Sequence, residues 1–359
     1  MLNFTVGPVQ SPDYVCEIGG QQVPYFRTSE FSSVVFESEK LIKDFAHASD
    51  DSRVLFITGS GTASMEAAII NTLTPADKAL VVNGGSFGAR FAELCTWHDI
   101  PHSDIKLEAG KTLTKEQLSA YSGQGYTALL VNMHETSTGV LYDIDMISDF
   151  CKQERIFLIV DAISAFLADP VNMNGQKIDV LITGSQKALA CAPGISIVVL
   201  SPTALKRVAE NRSVSMYLDF KMALKDAERG QTPFTPAVGT ILEIHKRLQM
   251  IEAAGGVDSE ISRTHALATD FREKLKAANL PFVSFSDSPS NAVTSLYVKD
   301  YSAYDIFLHL KDEYGIWICP NGGAMKDDVF RVGHIGDLTP ADNDVLINAF
   351  VDLFNKGVL

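Results

Sequence analysis

Two stretches of the chain decide the fold: Thr183-Gly184-Ser185-Gln186-Lys187, and Ile156-Phe157-Leu158-Ile159-Val160-Asp161. Both polar ends follow apolar, β-branched runs that are too short for helices and lack internal glycine and proline. Such runs predict buried strands of a parallel sheet. Asp161 and Lys187 then lie where strands end, and ligands of open α/β sheets bind at that edge. The sequence therefore predicts a ligand site that contains one carboxylate and one amine.

Pyridoxal phosphate is a cofactor that needs this pair of groups. Its aldehyde forms a Schiff base with a lysine, and its ring nitrogen needs an anionic partner to stay protonated and accept electrons. Each residue also has an ordinary interpretation, because lysines after strands are usually solvated and aspartates at strand ends commonly cap helices. The surrounding segments are needed to choose between a cofactor-binding and a structural interpretation of Asp161 and Lys187.

Composition excludes several classes of function. The chain has 359 residues, of which 46% are hydrophobic and 21% charged, so it can bury a large core and form two domains. A net charge of -14 opposes nucleic acid as a partner. The five cysteines are scattered and lack CxxC spacing, which favours a reducing cytoplasm over a disulfide framework and indicates no zinc site. No apolar stretch approaches the ~20 residues of a membrane span, so we expect a soluble protein without a membrane partner.

A glycine-rich turn lies between the predicted strand Arg53–Thr58 and the helix that continues from Ala67. Small residues at such a turn let backbone N–H groups close on an anion, assisted by the helix dipole. The turn is neither a Walker loop nor a complete dinucleotide fingerprint, because no Gly-Lys-Ser/Thr follows and Ser64 replaces the third glycine. Phosphate binding and a simple tight turn both remain open.

Two further strand exits carry candidate groups. The strand Ala79–Val82 leads to a glycine-rich loop with Phe87, which either packs or stacks on a flat ligand ring. The strand Thr127–Met133 leads to His134 and a run of hydroxyl residues. A single histidine at a strand end is more often structural than catalytic. Later in the chain Arg331 stands between apolar residues, where it is either a paired structural charge or a two-pronged donor for a carboxylate.

Taken in order, these segments resemble the class V aminotransferases. The run Ile178–Leu189, followed by Ala192-Pro193-Gly194, resembles the family's lysine segment, and the similarity extends from Gly7-Pro8 to the Phe-Arg-x-Gly segment at Arg331. The resemblance implies the α/β fold of type I pyridoxal-phosphate enzymes, with a mainly parallel seven-stranded sheet in the large domain and a small C-terminal α/β domain. It implies a large domain at residues 16–240 and a second unit formed by the arm 1–15 with residues 241–359.

The resemblance also implies roles for single residues. Lys187 is expected to form the Schiff base and to move the proton, and Asp161 is expected to pair with the cofactor ring. Arg331 and Gly7 are expected to contact the substrate, and no metal is expected. The expected cofactor contacts are Gly61, Thr62, Phe87, Thr136, Asp161, Gln186, Lys187 and Thr235. In the family a hydroxyl at the position of Thr235 contacts the cofactor phosphate of the neighbouring subunit, which implies a homodimer with shared active sites. Phe26 replaces the histidine of the family's HRS/T-x-E-F signature.

The activity implied is transfer of an amino group from a small amino acid such as alanine or serine to pyruvate or glyoxylate, with ping-pong kinetics. Three alternatives remain open: a 2-aminoethylphosphonate–pyruvate transaminase, a cysteine desulfurase or related lyase, and a catalytically silent cofactor-binding protein. A desulfurase needs a thiol on a mobile loop before the carboxylate-binding arginine, and the thiol in that region is Cys319.

Elements outside the motifs are predicted from hydrophobic periodicity and from turn-forming residues. Residues 1 to about 15 are expected to be irregular because of Gly7-Pro8 and Ser11-Pro12. Residues 203–230 are expected to form one helix, Gly315–Cys319 one strand, and the last twenty residues an amphipathic helix.

Overall fold

The computed structural model describes residues 1–358, which form fifteen strands and twelve α-helices. The strands are β1 (Leu2–Asn3), β2 (Arg53–Thr58), β3 (Ala79–Asn83), β4 (His102–Lys106), β5 (Ala128–Asn132), β6 (His134–Glu135), β7 (Val140–Leu141), β8 (Phe157–Asp161), β9 (Val180–Gly184), β10 (Ile195–Leu200), β11 (Phe282–Ser284), β12 (Val293–Val298), β13 (Ile316–Trp317), β14 (Cys319–Pro320) and β15 (Val329–Gly333). The helices are α1 (Asp13–Gly19), α2 (Ser29–Phe45), α3 (Gly61–Thr72), α4 (Ser86–Trp97), α5 (Lys115–Ser119), α6 (Ile144–Glu154), α7 (Pro202–Glu210), α8 (Phe220–Ala227), α9 (Val238–Ala253), α10 (Gly256–Ala277), α11 (Ala303–His309) and α12 (Pro340–Asn355).

A seven-stranded sheet in the order β2-β10-β9-β8-β5-β3-β4 forms the centre of the molecule. The five strands β9, β8, β5, β3 and β4 are parallel to one another, whereas β10 is antiparallel to both β2 and β9. Only residues 185–194 separate β9 from β10, without the helix that a parallel crossover normally contains. The predicted mainly parallel seven-stranded sheet is confirmed.

Both faces of this sheet are covered, which explains why its strands are continuously apolar. In β8, Leu158 and Val160 belong to one core, and Phe157 and Ile159 belong to the core on the opposite face. The alternation follows from the two-residue repeat of a strand. All five residues of β8 are buried, including the terminal Asp161.

A third core lies around the four-stranded sheet of order β11-β12-β15-β14 and the helices α10 and α12. Arg331 lies in the middle of β15, directly opposite Ser295 of β12 and Cys319 of β14. The sheet therefore fixes the position of the arginine along the strand. The division of the chain into residues 16–240 and the remainder stays a prediction.

Three predictions of single elements are corrected. The N-terminal segment is not wholly irregular, because Leu2–Asn3 pairs with Ile316–Trp317 as a parallel strand and a helix begins at Asp13. Residues 203–230 form two helices, because the Asn71 side chain binds the backbone of both Leu218 and Phe220 and holds the intervening loop down. The segment Gly315–Cys319 is divided between two sheets, since β13 pairs with β1 and β14 pairs with β15.

Side-chain caps fix the starts of two helices, and the predicted C-terminal helix is one of them. Thr28 caps α2 by accepting a hydrogen bond from the Phe31 backbone N–H at 3.2 Å. The C-terminal helix α12 begins with a capping box between Thr339 and Asp342. Across residues 1–358, every helix is too short or too polar to cross a lipid bilayer.

Candidate active site

The carboxyl ends of β5, β8 and β9 place Asn132, Asp161 and the segment leading to Lys187 at one edge of the central sheet. A cavity of about 150 Å³ opens there. Thirteen residues line it: Ser60, Gly61, Thr62, Met65, Phe87, Arg90, His134, Thr136, Asp161, Ile163, Ser164, Gln186 and Lys187. Seven of the ten predicted site residues are therefore brought together around one cavity.

Lys187 is the buried amine of this cavity. Its side chain is 8% exposed, and Nζ donates a hydrogen bond to the Val6 carbonyl oxygen at 2.5 Å. Burial, assisted by the positive charge of Arg331 and opposed by Cys319 and Asp161, lowers the pKa of Lys187 to about 8. A substantial neutral fraction near neutral pH suits an amine that must attack a carbonyl.

Asp161 is the buried carboxylate. It accepts hydrogen bonds from the Asn132 side-chain amide and from the Ile163 backbone N–H, each at 2.8 Å. Burial raises the pKa of Asp161 to about 6, although these two hydrogen bonds act in the opposite direction. The group is an anion above that pH, so it can pair with a protonated ring nitrogen.

The predicted phosphate turn is the N-terminus of α3. The helix begins at Gly61, and Ser60, Gly61 and Thr62 line the cavity. A Cβ atom at Gly61 would overlap the end of the Ile163 side chain, which also lines the cavity, so a larger residue here would force that side chain to move. Arg90 donates from Nη1 to Thr62 Oγ1 at 3.1 Å and adds a positive charge beside the helix N-terminus. Both features attract an anion.

Phe87 is held in place by a buried acid that sequence analysis did not assign. The carboxylate of Glu135 accepts hydrogen bonds from the backbone N–H groups of Phe87 at 3.2 Å and Gly88 at 3.0 Å. It also accepts from the Ser137 hydroxyl at 2.5 Å. Glu135 thus fixes the start of α4 against the loop that carries Thr136. The sequence signal for this role of Glu135 was its position at a strand exit, directly before hydroxyl residues.

Arg331 lies behind the cavity and contacts its wall. Nη1 donates to the Thr136 carbonyl oxygen and Nη2 to the Pro320 carbonyl oxygen, each at 3.0 Å. Among residues 1–358, neither an Asp nor a Glu forms a salt bridge with this arginine, and its Nε lacks a hydrogen-bond partner. The guanidinium is therefore oriented by backbone carbonyls while its charge stays uncompensated.

The two other predicted residues lie apart from the cavity lining. Gly7 is adjacent to the lysine, since a Cβ atom built on it would lie 2.8–2.9 Å from three atoms of the Lys187 side chain. Thr235 is exposed on the surface and does not line the cavity. The thiol considered for a desulfurase, Cys319, lies in β14.

Sequence reasoning left out six lining residues: Ser60, Met65, Arg90, His134, Ile163 and Ser164. Arg90 could have been found, because it follows Phe87 by three residues and so shares its face of a helix. Ser164 carried no such signal. Its hydroxyl lies 2.6 Å from Thr136 Oγ1, a contact made by residues 28 positions apart.

These side chains fit pyridoxal phosphate group by group. An amine for the aldehyde, a carboxylate for the ring nitrogen, an aromatic ring, and a helix N-terminus with a cation for the phosphate all line one cavity. Asn132 Oδ1 and His134 Nδ1 are buried without hydrogen-bond partners in the described part of the chain, so both atoms are free to bond with a ligand. Residues 1–358 hold no cluster of three or more His, Cys, Asp or Glu side chains suited to a metal ion.

Comparison with known proteins gives a family match over most of the chain. The model of the family described as aminotransferase class-V matches residues 24–324. A protein of Synechococcus sp. (strain PCC 6716) named soluble hydrogenase, small subunit, is 31% identical over 345 residues, which cover 95% of this chain and 88% of that protein. The L-aspartate–glyoxylate aminotransferase of Paracoccus denitrificans is 27% identical over 347 residues, with 94% and 87% covered.

A solved structure confirms the fold. The aspartate aminotransferase of subgroup IV from Thermus thermophilus superposes with a TM-score of 0.92, at 24% sequence identity, and the match covers 100% of both chains. The predicted fold type I is therefore correct.

Proposed function

Because this chain belongs to the class-V aminotransferase family, we propose that it moves an amino group from a small amino acid, such as alanine or serine, to pyruvate or glyoxylate. The family assignment itself makes the protein a pyridoxal-phosphate-dependent aminotransferase that acts on amino acids and 2-oxo acids. The observation that supports the finer proposal is the placement of Lys187, Asp161 and the α3 N-terminus around one cavity behind which Arg331 lies.

The bound cofactor supplies an aldehyde that couples to amines and a ring that accepts an electron pair. Gly61, Thr62 and Gln186 would hold its phosphate, and Phe87 would stack on its ring. Asp161 would keep a proton on the ring nitrogen, because a buried anion beside that nitrogen favours its charged form.

Arg331 and Lys187 provide substrate binding and proton transfer. Arg331 binds the substrate carboxylate, since a planar guanidinium matches the two carboxylate oxygens. The Lys187 amine, once free, would take the proton from the substrate α-carbon onto Nζ and release it again as the amino group is transferred. The amino group would stay with the bound cofactor and water would supply the carbonyl oxygen, so the first 2-oxo acid would leave before the second enters, which gives ping-pong kinetics.

A homodimer with shared sites is part of the proposal. Tyr217 is 53% exposed, its ring stacks on Phe234 at 5.2 Å, and its hydroxyl donates to the Thr58 carbonyl oxygen just before the phosphate turn. Tyr25 and Met216 are each 71% exposed. Large exposed apolar side chains are typical of protein interfaces. A second copy on this surface would cover them and would bring Thr235 towards the phosphate of its partner's site.

Two features bear on the choice of substrate. The Paracoccus relative is named for glyoxylate, which supports glyoxylate as an acceptor. Cys319 lies on a strand opposite Arg331, not on a mobile loop, which disfavours a cysteine desulfurase. The 2-aminoethylphosphonate–pyruvate transaminase remains the alternative, because a phosphonate would also bind an arginine.

A donor panel without acceptor tests the proposal. The protein loaded with pyridoxal phosphate is mixed separately with alanine, serine, aspartate, cysteine and 2-aminoethylphosphonate, and the cofactor absorbance and the 2-oxo product are followed. We expect alanine or serine to convert the cofactor fastest, and pyruvate or glyoxylate to restore it. Reaction with 2-aminoethylphosphonate alone would establish the alternative, sulfide released from cysteine would indicate a desulfurase, and no reaction would refute the proposal.

A further inference from the structure

His134 is a buried member of the cavity wall to which the proposed mechanism gives no role. It forms β6 with Glu135, lines the cavity, and is 3% exposed. Its Nε2 lies 3.1 Å from Ser290 Oγ. Its Nδ1 is buried and has no hydrogen-bond partner within residues 1–358.

The hydrogen bonds around Ser290 fix which nitrogen of His134 carries the proton. Ser290 is fully buried, and its Oγ accepts hydrogen bonds from the backbone N–H groups of Ala292 at 3.1 Å and Val293 at 3.3 Å. A hydroxyl group has two acceptor positions and one donor. Because both acceptor positions are used, the Ser290 hydroxyl must donate to His134 Nε2. The neutral ring then carries its proton on Nδ1.

The surroundings keep this ring neutral. Burial, together with the positive charges of Lys187, Arg331 and Arg272, lowers the pKa of His134 to about 3. A second proton on Nε2 would also face a serine oxygen whose acceptor positions are already taken. His134 is thus a fixed donor through Nδ1, and leaving a buried donor unsatisfied is costly.

We propose that His134 is a ligand-binding residue whose Nδ1–H group donates to an anionic oxygen bound in this cavity. The acceptor is either the ring oxygen of the cofactor or the carboxylate of a substrate. This inference rests on the proposed function for the identity of the ligand, but its observations, the orphan donor and its fixed tautomer, are independent of turnover.

The charges nearby favour an oxygen anion over a neutral acceptor. Lys187 and Arg331 both act on His134 electrostatically, and within residues 1–358 no acidic residue forms a salt bridge with either. A carboxylate or ring oxygenate that enters between these groups would satisfy the Nδ1–H donor and the cationic surroundings together.

Two substitutions separate the donor from the rest of the side chain. In His134→Asn the amide nitrogen is attached to Cγ, as Nδ1 is in histidine, so a donor is kept near the same place. In His134→Leu the size is similar but no donor remains. Both lose the bond to Ser290, so a difference between them reports on Nδ1 and not on that bond. Ser290→Ala keeps His134 but removes the hydroxyl group that holds its ring proton on Nδ1.

The first measurement is long-range nitrogen–proton NMR of the labelled apoprotein, with the His134 signals assigned by their loss in His134→Asn. We expect the Nδ1–H tautomer, unchanged between about pH 6 and pH 8, and a mixture of tautomers in Ser290→Ala. Pyridoxamine phosphate added to the apoprotein tests the ring oxygen, and propionate added to the loaded protein tests a carboxylate. The arm that shifts Nδ1 identifies the source of the acceptor.

The second measurement is the dissociation constant of the same two ligands for each variant. We expect His134→Leu to weaken the ligand that shifts Nδ1 roughly tenfold, and His134→Asn to stay within about threefold of wild type. An Nε2–H tautomer in the free protein would overturn the inference. It would also be overturned if neither ligand shifted the Nδ1 signal and His134→Leu bound both ligands as tightly as wild type. A protein that binds pyridoxamine phosphate in this way but exchanges no amino group would refute the proposed function alone.

Discussion

The side-chain amine of Lys187 donates a hydrogen bond to the carbonyl oxygen of Val6, a residue 181 positions earlier in the chain. The N-terminal segment is held in this place by β1, which pairs with β13, and by the bond from the Gly333 backbone N–H to the Phe4 carbonyl oxygen. The N-terminus is therefore part of the wall around the lysine.

We expect Gly7→Ala to move the N-terminal segment away from Lys187. Gly7 has a φ of 131°, a conformation that residues with side chains rarely adopt, and an added Cβ would lie 2.8–2.9 Å from the Lys187 side chain. The strain is worth roughly 1–3 kcal/mol, and we expect the arm to move away from the lysine and transamination to fall at least tenfold. Transient kinetics and proteolysis of residues 1–12 check this. Wild-type turnover with an undisturbed arm would show that the arm is not needed at this position.

Arg331→Lys should weaken the binding of amino acids and of 2-oxo acids together. Lysine keeps the charge but cannot bind the Thr136 and Pro320 carbonyl oxygens and a carboxylate at once. The loss is expected to be about 1.5–3 kcal/mol, or roughly 10–100-fold in the dissociation constant. Simple amines without a carboxylate are the control and should react equally slowly with both proteins. If the lysine variant instead lost the cofactor, Arg331 would be a structural charge.

Asp161→Asn should damage proton removal far more than substrate binding. The neutral amide cannot stabilise a protonated ring nitrogen, although Asn132 and the Ile163 N–H remain as neighbours. Loss of the charged partner is worth roughly 1.5–3 kcal/mol before any electronic effect is added. The measurement is the single-turnover rate of α-proton exchange, with donor affinity as the control. An exchange rate within a few-fold of wild type would be incompatible with the assigned role.

The rate of cofactor attachment to the apoprotein should depend on pH through Lys187. Only the neutral amine attacks an aldehyde, and burial lowers the pKa of Lys187 to about 8. We therefore expect the rate to rise as the pH increases through about 8 and to level off above it, followed by absorbance after rapid mixing. A peptide lysine with an ordinary pKa should still gain rate well above pH 8. An identical profile for protein and peptide would contradict a buried amine.

The central sheet and most of the cavity could be predicted from local sequence. Short β-branched runs that end in polar residues specify buried strands and the edge at which Asp161 and Lys187 meet. The predicted strand Arg53–Thr58 is confirmed to the residue, and the predicted strand Ala79–Val82 extends one residue further, to Asn83. Their patterns are strong because both faces of the sheet are buried.

Features made by contacts between distant segments could not be predicted in this way. The Asn71 side chain binds Leu218 and Phe220, which lie 147 and 149 positions later, and so divides residues 203–230 into two helices; hydrophobic periodicity cannot predict such bonds. The pairing of Thr136 with Ser164 and of Glu135 with the start of α4 likewise depends on tertiary geometry. A single histidine at a strand end favours a structural role, and the inference that His134 Nδ1 carries an unused proton needs the bonds around Ser290, which only the structure provides.

The most direct test of the account is to find the lysine to which the cofactor is attached. The loaded protein is reduced with borohydride, which makes the bond between cofactor and amine permanent, and its peptides are mapped by mass spectrometry. Lys187→Ala serves as the matched control and should fold, bind cofactor only noncovalently and fail to transaminate. We predict a single modified residue, Lys187, in the wild-type protein and none in the variant. Modification of another lysine, or of the Lys187→Ala variant to the same extent, would contradict the assignment on which the proposed mechanism depends.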